Sequence, residues 1–216
     1  MSNKYTLLQD NSKLKRDKIK AINLPCKLTC PFADICKRHK GRPVFNDSGE
    51  CTAYQCYASK GLYNGTRPKE HSATNWEITK LPEFAQVIQP EIDRFKGPAI
   101  RLHTSGDFYN GAYVTKWVSI ARANPNKLFY AYTKSIPYFL KNDGTYFDWI
   151  PNNLKVIFSY GGKYDHLIDR SRHAHAVIFR SRYALRKAKY IDCSDSDLKA
   201  LKSVMKNKLS IGLVYH

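Results

Sequence analysis

The chain has 216 residues, 43% of them hydrophobic, and 36 Lys and Arg against 18 Asp and Glu give it a formal net charge of +18. This is too much apolar material for a disordered chain and enough for one substantial core, so a single domain is expected. A positive excess of this size favours a polyanionic partner, either nucleic acid or a nucleotide-like anion.

The first segment, residues 1–20, is polar and basic. No apolar run follows its charges, and no part of the chain approaches the roughly 20 apolar residues of a membrane-spanning helix. We therefore predict a loose basic arm or irregular helix over residues 1–20 and a single α/β domain over 21–216. We expect a cytoplasmic protein rather than a secreted or membrane-spanning one.

Residues 21–76 form a cysteine-rich region with many turn-forming residues. Its five cysteines are Cys26, Cys30, Cys36, Cys51 and Cys56. Disulfides are rare in the reducing cytosol, and clustered soft thiolates suit Zn²⁺ or an iron-sulfur cluster. We predict that all five are metal ligands, with His39 as an additional candidate, in loops shaped by the metal. The alternative is a set of reduced, partly buried thiols without metal.

Beyond residue 76, short apolar runs alternate with amphipathic segments. The apolar runs predict strands at 99–104, 128–133, 155–160, 175–180 and 210–215. Apolar residues at helical spacing predict helices at 82–94, 112–123, 136–141 and 163–171. This order indicates an α/β fold with a mostly parallel sheet. We expect a partial, barrel-like (β/α) arrangement, and an open doubly wound sheet is the alternative.

The first two strands end in polar residues. The first has His103 at its end and is followed by Ser105, Gly106 and Asp107, and ligands of α/β proteins bind at the carboxyl ends of strands. A histidine, a hydroxyl and an acid can move protons, so His103, Ser105 and Asp107 are candidate catalytic residues. Gly106 lets a ligand approach the backbone, and Asp107 can bind a ribose hydroxyl. Alternatively, Asp107 caps the next helix and His103 is a core residue.

The second strand ends at Thr133 and Lys134. A lysine at a strand end can hold a phosphate or carboxylate, so we predict a cofactor-binding role for both residues and a catalytic role for Lys134 as well.

A further helix is predicted near the C-terminus, capped by Ser194 or Ser196. Its three lysines are expected to form a solvated face rather than a binding site. Cys193 stands apart from the other cysteines, as a distant ligand or a free thiol.

Four ordered motifs together resemble the gene product 88 family of phages and plasmids. They are Thr29-Cys30-Pro31 with Cys36, Cys56-Tyr57-Ala58, His103-Thr104-Ser105-Gly106-Asp107-Phe108, and Tyr130-Ala131-Tyr132-Thr133-Lys134-Ser135. The same order is similar to radical S-adenosylmethionine proteins of phage origin. That similarity implies a [4Fe-4S] cluster whose open iron binds S-adenosylmethionine.

The resemblance implies that Cys30, Cys36 and Cys56 ligate the cluster, with Cys26 or Cys51 as a fourth ligand. It also implies that Asp107 and Lys134 line the barrel mouth. The chain lacks the C-x3-C-x2-C triplet and the Gly-Gly-Glu segment of radical enzymes. Two hypotheses follow: a radical iron-sulfur enzyme that acts on a nucleotide or nucleic acid in the host cytoplasm, or a nucleic-acid-binding accessory protein with a structural zinc or iron-sulfur site.

Overall fold

The computed structural model describes residues 5–215 and forms one large sheet with helices packed on it. The strands are β1 (Leu8–Gln9), β2 (Lys20–Ile22), β3 (Val44–Phe45), β4 (Cys51–Ala53), β5 (Ile100–Leu102), β6 (Phe129–Thr133), β7 (Leu154–Ser159), β8 (His175–Phe179), β9 (Ile191–Asp192) and β10 (Ser210–Val214). The α-helices are α1 (Ser12–Arg16), α2 (Ile35–Arg38), α3 (Thr66–Lys80), α4 (Phe84–Arg94), α5 (Gly111–Ala123), α6 (Arg182–Lys187) and α7 (Asp197–Met205). The 3-10 turns are Tyr57–Ser59, Gly61–Asn64, Ile136–Tyr138 and Asp165–Leu167.

The large sheet is mostly parallel, as predicted. Its strand order is β1-β2-β5-β6-β7-β8-β10-β9, and β3 and β4 form a separate hairpin. Within the large sheet only β1 pairs antiparallel with its neighbour among the described residues. All five predicted strands are present, as β5, β6, β7, β8 and β10. The sequence analysis missed β1, β2 and β9, which are too short to show a periodic pattern.

Helices cover both faces of the sheet. Successive side chains of a strand point to opposite faces. On one face Ala131 of β6 shares a core with Trp117 of α5. On the other, Tyr130 of β6 packs with Leu14 of α1 and Leu201 of α7. Cover on both faces is the arrangement of the open doubly wound alternative, and the expected barrel-like closure is not confirmed.

The apolar periodicity located the amphipathic helices α4, α5 and α7. Ser196, one of the two candidate caps, begins α7 by accepting a hydrogen bond from the amide of Lys199. The segments at 136–141 and 163–171 contain only single 3-10 turns. Other contacts end each turn: Leu140 bridges to Tyr146, and the Asp169 carboxylate accepts hydrogen bonds from the Ser171 amide and hydroxyl.

Two parts of the N-terminal half differ from expectation. The 15-residue helix α3 occupies part of the region expected to be loops. Its buried residues are Ser72, Asn75 and Thr79, so it has no apolar stripe that periodicity would detect. Residues 5–20 are not a loose arm, because β1 pairs with β2 and Leu14 of α1 is buried. Residues 1–4 of the predicted arm lie outside the described residues.

Among residues 5–215, no helix is both long and apolar enough to cross a membrane.

Candidate functional site

A cavity of about 430 Å³ lies at the carboxyl ends of the parallel strands. Two groups of side chains in its lining are of chemical interest. The thiol cluster comprises Cys26, Cys30, Cys36 and Cys56, and the Arg101 cluster comprises Lys13, Tyr57, Tyr63, Arg101, Tyr132 and Asp197. Because parallel strands end at one edge of the sheet, the loops that follow them converge there. The volume falls in the range of small-molecule sites, about 300 to 1,000 Å³.

The thiol cluster is a chain of neighbouring sulfhydryl groups. The Cys56 thiol neighbours both Cys36 and Cys26, and the Cys26 thiol donates to the carbonyl of Ala58 at 3.2 Å. The neighbouring Cys56 thiol lowers the pKa of Cys26 to about 7, whereas burial raises the pKa of Cys30 to about 12. Cys26 therefore has the most thiolate character of the cluster near neutral pH.

The donor set of the cluster suits a soft metal, because its four sulfurs become thiolate ligands once they lose their protons. No three His, Cys, Asp or Glu side chains within residues 5–215 are already arranged to hold a metal ion. Ligation would therefore require the sulfurs to deprotonate and shift toward a common centre.

The loop that carries Cys26, Cys30 and Cys36 is tied to the end of β5. The amide of Leu24 donates to the carbonyl of Ser105 at 2.9 Å, and the Ser105 hydroxyl donates to the carbonyl of Leu24 at 2.9 Å. The predicted catalytic hydroxyl of Ser105 thus has a structural partner. This pair of hydrogen bonds fixes the loop over the strand ends.

Gly106 provides the room for this loop. It has a φ of +82°, and a Cβ atom there would lie 2.6 Å from both the Leu24 Cβ and the Thr29 Oγ1. The cysteine-bearing loop, through Leu24 and Thr29, therefore occupies the space beside Gly106 where the sequence pattern predicts a ligand. The glycine is required both for its positive φ and for its lack of a side chain.

We expect Gly106→Ala to lower the free energy of unfolding by at least about 2 kcal/mol, from backbone strain together with overpacking. The matched control is Gly111→Ala at the first residue of α5, where a Cβ would meet nothing within 4 Å. Urea unfolding of both variants measures the difference. Equal free energies of unfolding for the two variants would show that the packing of the loop does not require a glycine at position 106.

Cys51, Cys193 and His39 do not line the cavity. Cys51 lies in β4 behind the cavity wall, where it packs in one cluster with Cys30, Cys36 and Cys56, and its thiol donates to the carbonyl of Ala53 at 3.4 Å. Cys193 is fully buried in the core beneath α7, and the His39 ring is 2.7 Å from the carbonyl oxygen of Arg42. The structure thus groups four of the five cysteines predicted as ligands and leaves Cys51 out of the cavity wall.

Asp107 connects the ends of β5 and β6. Its buried carboxylate accepts hydrogen bonds from the Thr133 hydroxyl at 2.5 Å, the Lys134 amide at 2.8 Å and the Phe108 amide at 2.8 Å. Burial raises the pKa of Asp107, although these hydrogen bonds act to lower it. Asp107 does not cap α5, because Asn110 does. Asp107 and Thr133, two of the predicted site residues, are therefore hydrogen-bonded to each other.

Lys134 carries a positive charge into the cavity beside the thiol cluster. Its ammonium donates to the Ser159 hydroxyl at 3.1 Å and lies 5.8 Å from the centre of the Tyr54 ring. Because Asp107 holds the backbone of Lys134, the end of β6 is fixed. Lys134 can attract an anionic group or stabilise a neighbouring thiolate.

The ring of His103 packs in the core. It contacts Phe108 and Tyr113, with ring centroids 4.9 Å and 5.7 Å away, and its Nε2 is 3.0 Å from the Tyr113 hydroxyl. Burial and the charge of Arg101 lower the pKa of His103 to about 3, so the ring is neutral at pH 7. His103 borders the cavity and its Nδ1 has no hydrogen-bond partner in the described part of the chain, but the packing of its ring favours the alternative that it is a core residue.

Sequence reasoning missed the Arg101 cluster. Its centre is Asp197, which accepts hydrogen bonds from Arg101 Nη1 at 2.6 Å and from the Tyr130 hydroxyl at 2.7 Å and pairs with Lys13 Nζ at 2.8 Å. Burial acts to raise the pKa of Asp197, but the positive charges of Arg101 and Lys13 prevail and lower it to about 2. The signal in the sequence was an arginine inside an otherwise apolar strand.

Comparison with known proteins identifies relatives among phage genes. The family model described as Gene product 88 matches residues 4–214. The Gene 88 protein of Mycobacterium phage L5 is 30% identical in an alignment of 130 residues, which covers 49% of this chain and 54% of the relative. The aligned part thus spans about half the length of that curated relative. No solved structure matches the chain.

Proposed function

Because the chain belongs to the gene product 88 family, as its ordered motifs predicted, we propose a phage- or plasmid-type protein that binds an iron-sulfur cluster. Cys30, Cys36 and Cys56 hold this cluster, and Cys26 is the fourth candidate ligand. The observation that carries the proposal is that these four thiols line one cavity at the carboxyl ends of the strands. The reduced thiols fit the cytoplasm of a host cell.

We further propose that the cluster serves a radical-type enzyme. When bound, a [4Fe-4S] cluster with an open iron supplies the electron with which such enzymes cleave S-adenosylmethionine. The chain contributes the cavity, and Lys134 in its lining attracts an anionic group of the cofactor or substrate. Asp107 and Thr133 position the Lys134 backbone rather than contact the ligand.

Purification without oxygen tests both parts of the proposal. A cluster bound by thiolates gives a brown protein with absorbance near ~400 nm, whereas zinc gives no colour. After reduction, the enzyme is expected to cleave S-adenosylmethionine to methionine and a deoxyadenosine product. A coloured protein that leaves S-adenosylmethionine intact would rule out the radical reaction, and a colourless protein would rule out the iron-sulfur cluster.

A basic face on the opposite side of the sheet from α5 favours a second function, nucleic-acid binding. The basic face comprises the exposed residues Lys15, Arg16, Lys18, Lys199, Lys202 and Lys206. Asp17 joins its two halves by accepting a hydrogen bond from the Leu198 amide at 2.9 Å, and Arg16 donates to the Asp195 carbonyl at 3.0 Å. Lysines from α1 and α7 thus form one surface that suits a phosphate backbone.

Fluorescence anisotropy with a short DNA duplex tests this second function. The double variant Lys15→Glu with Lys202→Glu is expected to bind about ten-fold more weakly, and its salt dependence should be shallower by about two ions. The matched control replaces Lys40 and Lys69 with glutamate; both are exposed, and Lys69 lies on α3, which packs on the same side of the sheet as α5. Equal losses in the two double variants would contradict a specific role for the basic face.

A further inference from the structure

The Arg101 cluster forms a second binding group in the same cavity as the thiol cluster. From its charge and its unpartnered polar atoms, we infer that it binds the phosphate of a nucleoside monophosphate whose base contacts the neighbouring tyrosines. This inference deepens the proposed function and rests on it for the reaction, but the binding itself needs no metal. Arg101, Tyr132 and Tyr57 were not among the predicted site residues.

Arg101 is held with one nitrogen left for a ligand. Its Nε donates to the carbonyl of His103 at 3.1 Å, and its Nη1 donates to Asp197 at 2.6 Å. Its guanidinium also packs over the Tyr132 ring, 4.8 Å from the ring centre. Its Nη2 has no hydrogen-bond partner within residues 5–215, and Arg101 lines the cavity. A guanidinium fixed in this way is suited to phosphate because little side-chain freedom is lost on binding.

The hydroxyl of Tyr132 provides a second reason to expect a phosphate at this site. It is buried and has no hydrogen-bond partner in the described part of the chain, and Tyr132 lines the cavity beside Arg101. Buried polar groups in native proteins nearly always have a partner, so an orphaned hydroxyl in a cavity wall calls for one. The hydroxyl oxygen is itself inaccessible to water, so a phosphate bound to Arg101 would accept its hydrogen bond after the Tyr132 side chain shifts toward the cavity.

The charges of the Arg101 cluster select an anion. Arg101 and Lys13 are both paired with the one carboxylate of Asp197, at 2.6 Å and 2.8 Å, so the three groups together carry one net positive charge. The low pKa of Asp197 keeps this carboxylate ionised and the two cations in place. One further negative group in the cavity would balance the remaining charge.

Two tyrosines make the aromatic part of the site. Tyr57 and Tyr63 line the cavity and pack edge to face, with ring centroids 5.8 Å apart. Both are anchored on Thr104, since the Tyr57 hydroxyl donates to its carbonyl and the Tyr63 hydroxyl donates to its Oγ1 at 3.1 Å. Aromatic rings stack on nucleic acid bases without regard to sequence, which favours a nucleotide over inorganic phosphate or a simple carboxylate.

Isothermal titration calorimetry on the full chain tests the inference, with uridine monophosphate, uridine and inorganic phosphate as probes. Uridine monophosphate should bind with a Kd below about 1 mM, and uridine and phosphate should each bind at least about ten-fold more weakly. Tyr132→Phe removes a hydroxyl that has no protein partner, so it should fold normally and weaken nucleotide binding at least about five-fold. Arg101→Lys should weaken binding more.

The matched control is Tyr183→Phe, because Tyr183 is exposed on α6 and does not line the cavity. Its affinity for uridine monophosphate should equal that of the unaltered chain. The inference is overturned if uridine monophosphate does not bind, or if Tyr132→Phe binds it as tightly as the control. The iron content of the same samples separates the two proposals: iron without nucleotide binding contradicts only this inference, and nucleotide binding without iron contradicts only the cluster.

Discussion

Replacing Asp197 with asparagine is expected to lower the free energy of unfolding by about 3 to 5 kcal/mol, the usual cost of removing one partner from a buried ion pair. The Asp197 side chain is 1% exposed and forms ion pairs with both Arg101 and Lys13. Without its carboxylate, the buried guanidinium of Arg101 lacks a counter-charge, and α1 and α7 lose their common anchor on the sheet. Urea unfolding at neutral pH measures the loss.

The matched control for this prediction is Asp148→Asn. Asp148 pairs with Lys141 at a similar distance, 2.7 Å, but is 90% exposed, so its loss should leave the stability unchanged. A loss for Asp197→Asn no larger than that for the control would show that the Arg101 cluster does not hold the helices.

The same carboxylate gives the stability a dependence on acid pH. Asp197 has a pKa of about 2 in the folded chain, below its ordinary value of 3.8. Its stabilising contribution is therefore complete above pH 4 and is lost as the pH falls toward 2. Between pH 4 and pH 2 the free energy of unfolding of the unaltered chain should therefore fall by roughly 2 kcal/mol more than that of Asp197→Asn.

The second large effect is expected in the thiol cluster. Replacing Cys30, Cys36 or Cys56 with serine should reduce the bound iron at least about ten-fold, because a hydroxyl is a poor substitute for a thiolate ligand. Cys193→Ser is the matched control, since Cys193 is buried in a separate core cluster and does not line the cavity. Iron assay of anaerobically purified variants, with circular dichroism to confirm folding, gives the result.

Cys26→Ser and Cys51→Ser together decide between the two proposed uses of the cluster, because Cys51 packs with Cys30, Cys36 and Cys56. If both variants keep their iron, three cysteines suffice and one iron is open, as a radical enzyme requires. If the iron is lost, four cysteines close the site, and the structural role is favoured. Full iron in all of the variants would contradict ligation by the thiol cluster.

The helices and strands with a clear apolar periodicity could be predicted from short windows of the sequence. Tyr113, Val114, Trp117 and Val118 of α5 lie on one stripe, and that stripe is buried. By contrast, α3 escaped notice because its buried positions are polar, and β1 and β2 are only two and three residues long. The pairing of β2 with β5 depends on contacts between distant parts of the chain, which no window of sequence contains.

The site was predictable to the extent that its residues are close in sequence. The density of cysteines between residues 26 and 56 located the thiol cluster, but which of them share the cavity depends on the β3–β4 hairpin, which leaves Cys51 outside. Arg101 and Asp197 are 96 residues apart, so their ion pair could not be foreseen. His103 shows that position in the sequence can also mislead. It directly follows β5, where site residues are expected, but its backbone φ is +68° and its ring packs against Phe108 in the core.

Iron, zinc and acid-labile sulfide, measured per chain in protein purified without oxygen, test the central claim that the thiol cluster holds one common centre. A [4Fe-4S] cluster predicts about four iron atoms and about four sulfides per chain. One zinc ion without sulfide would support only the structural alternative. Fewer than about 0.1 iron or zinc atoms per chain, in protein whose thiols remain reduced, would contradict the claim and leave the four cysteines as free thiols.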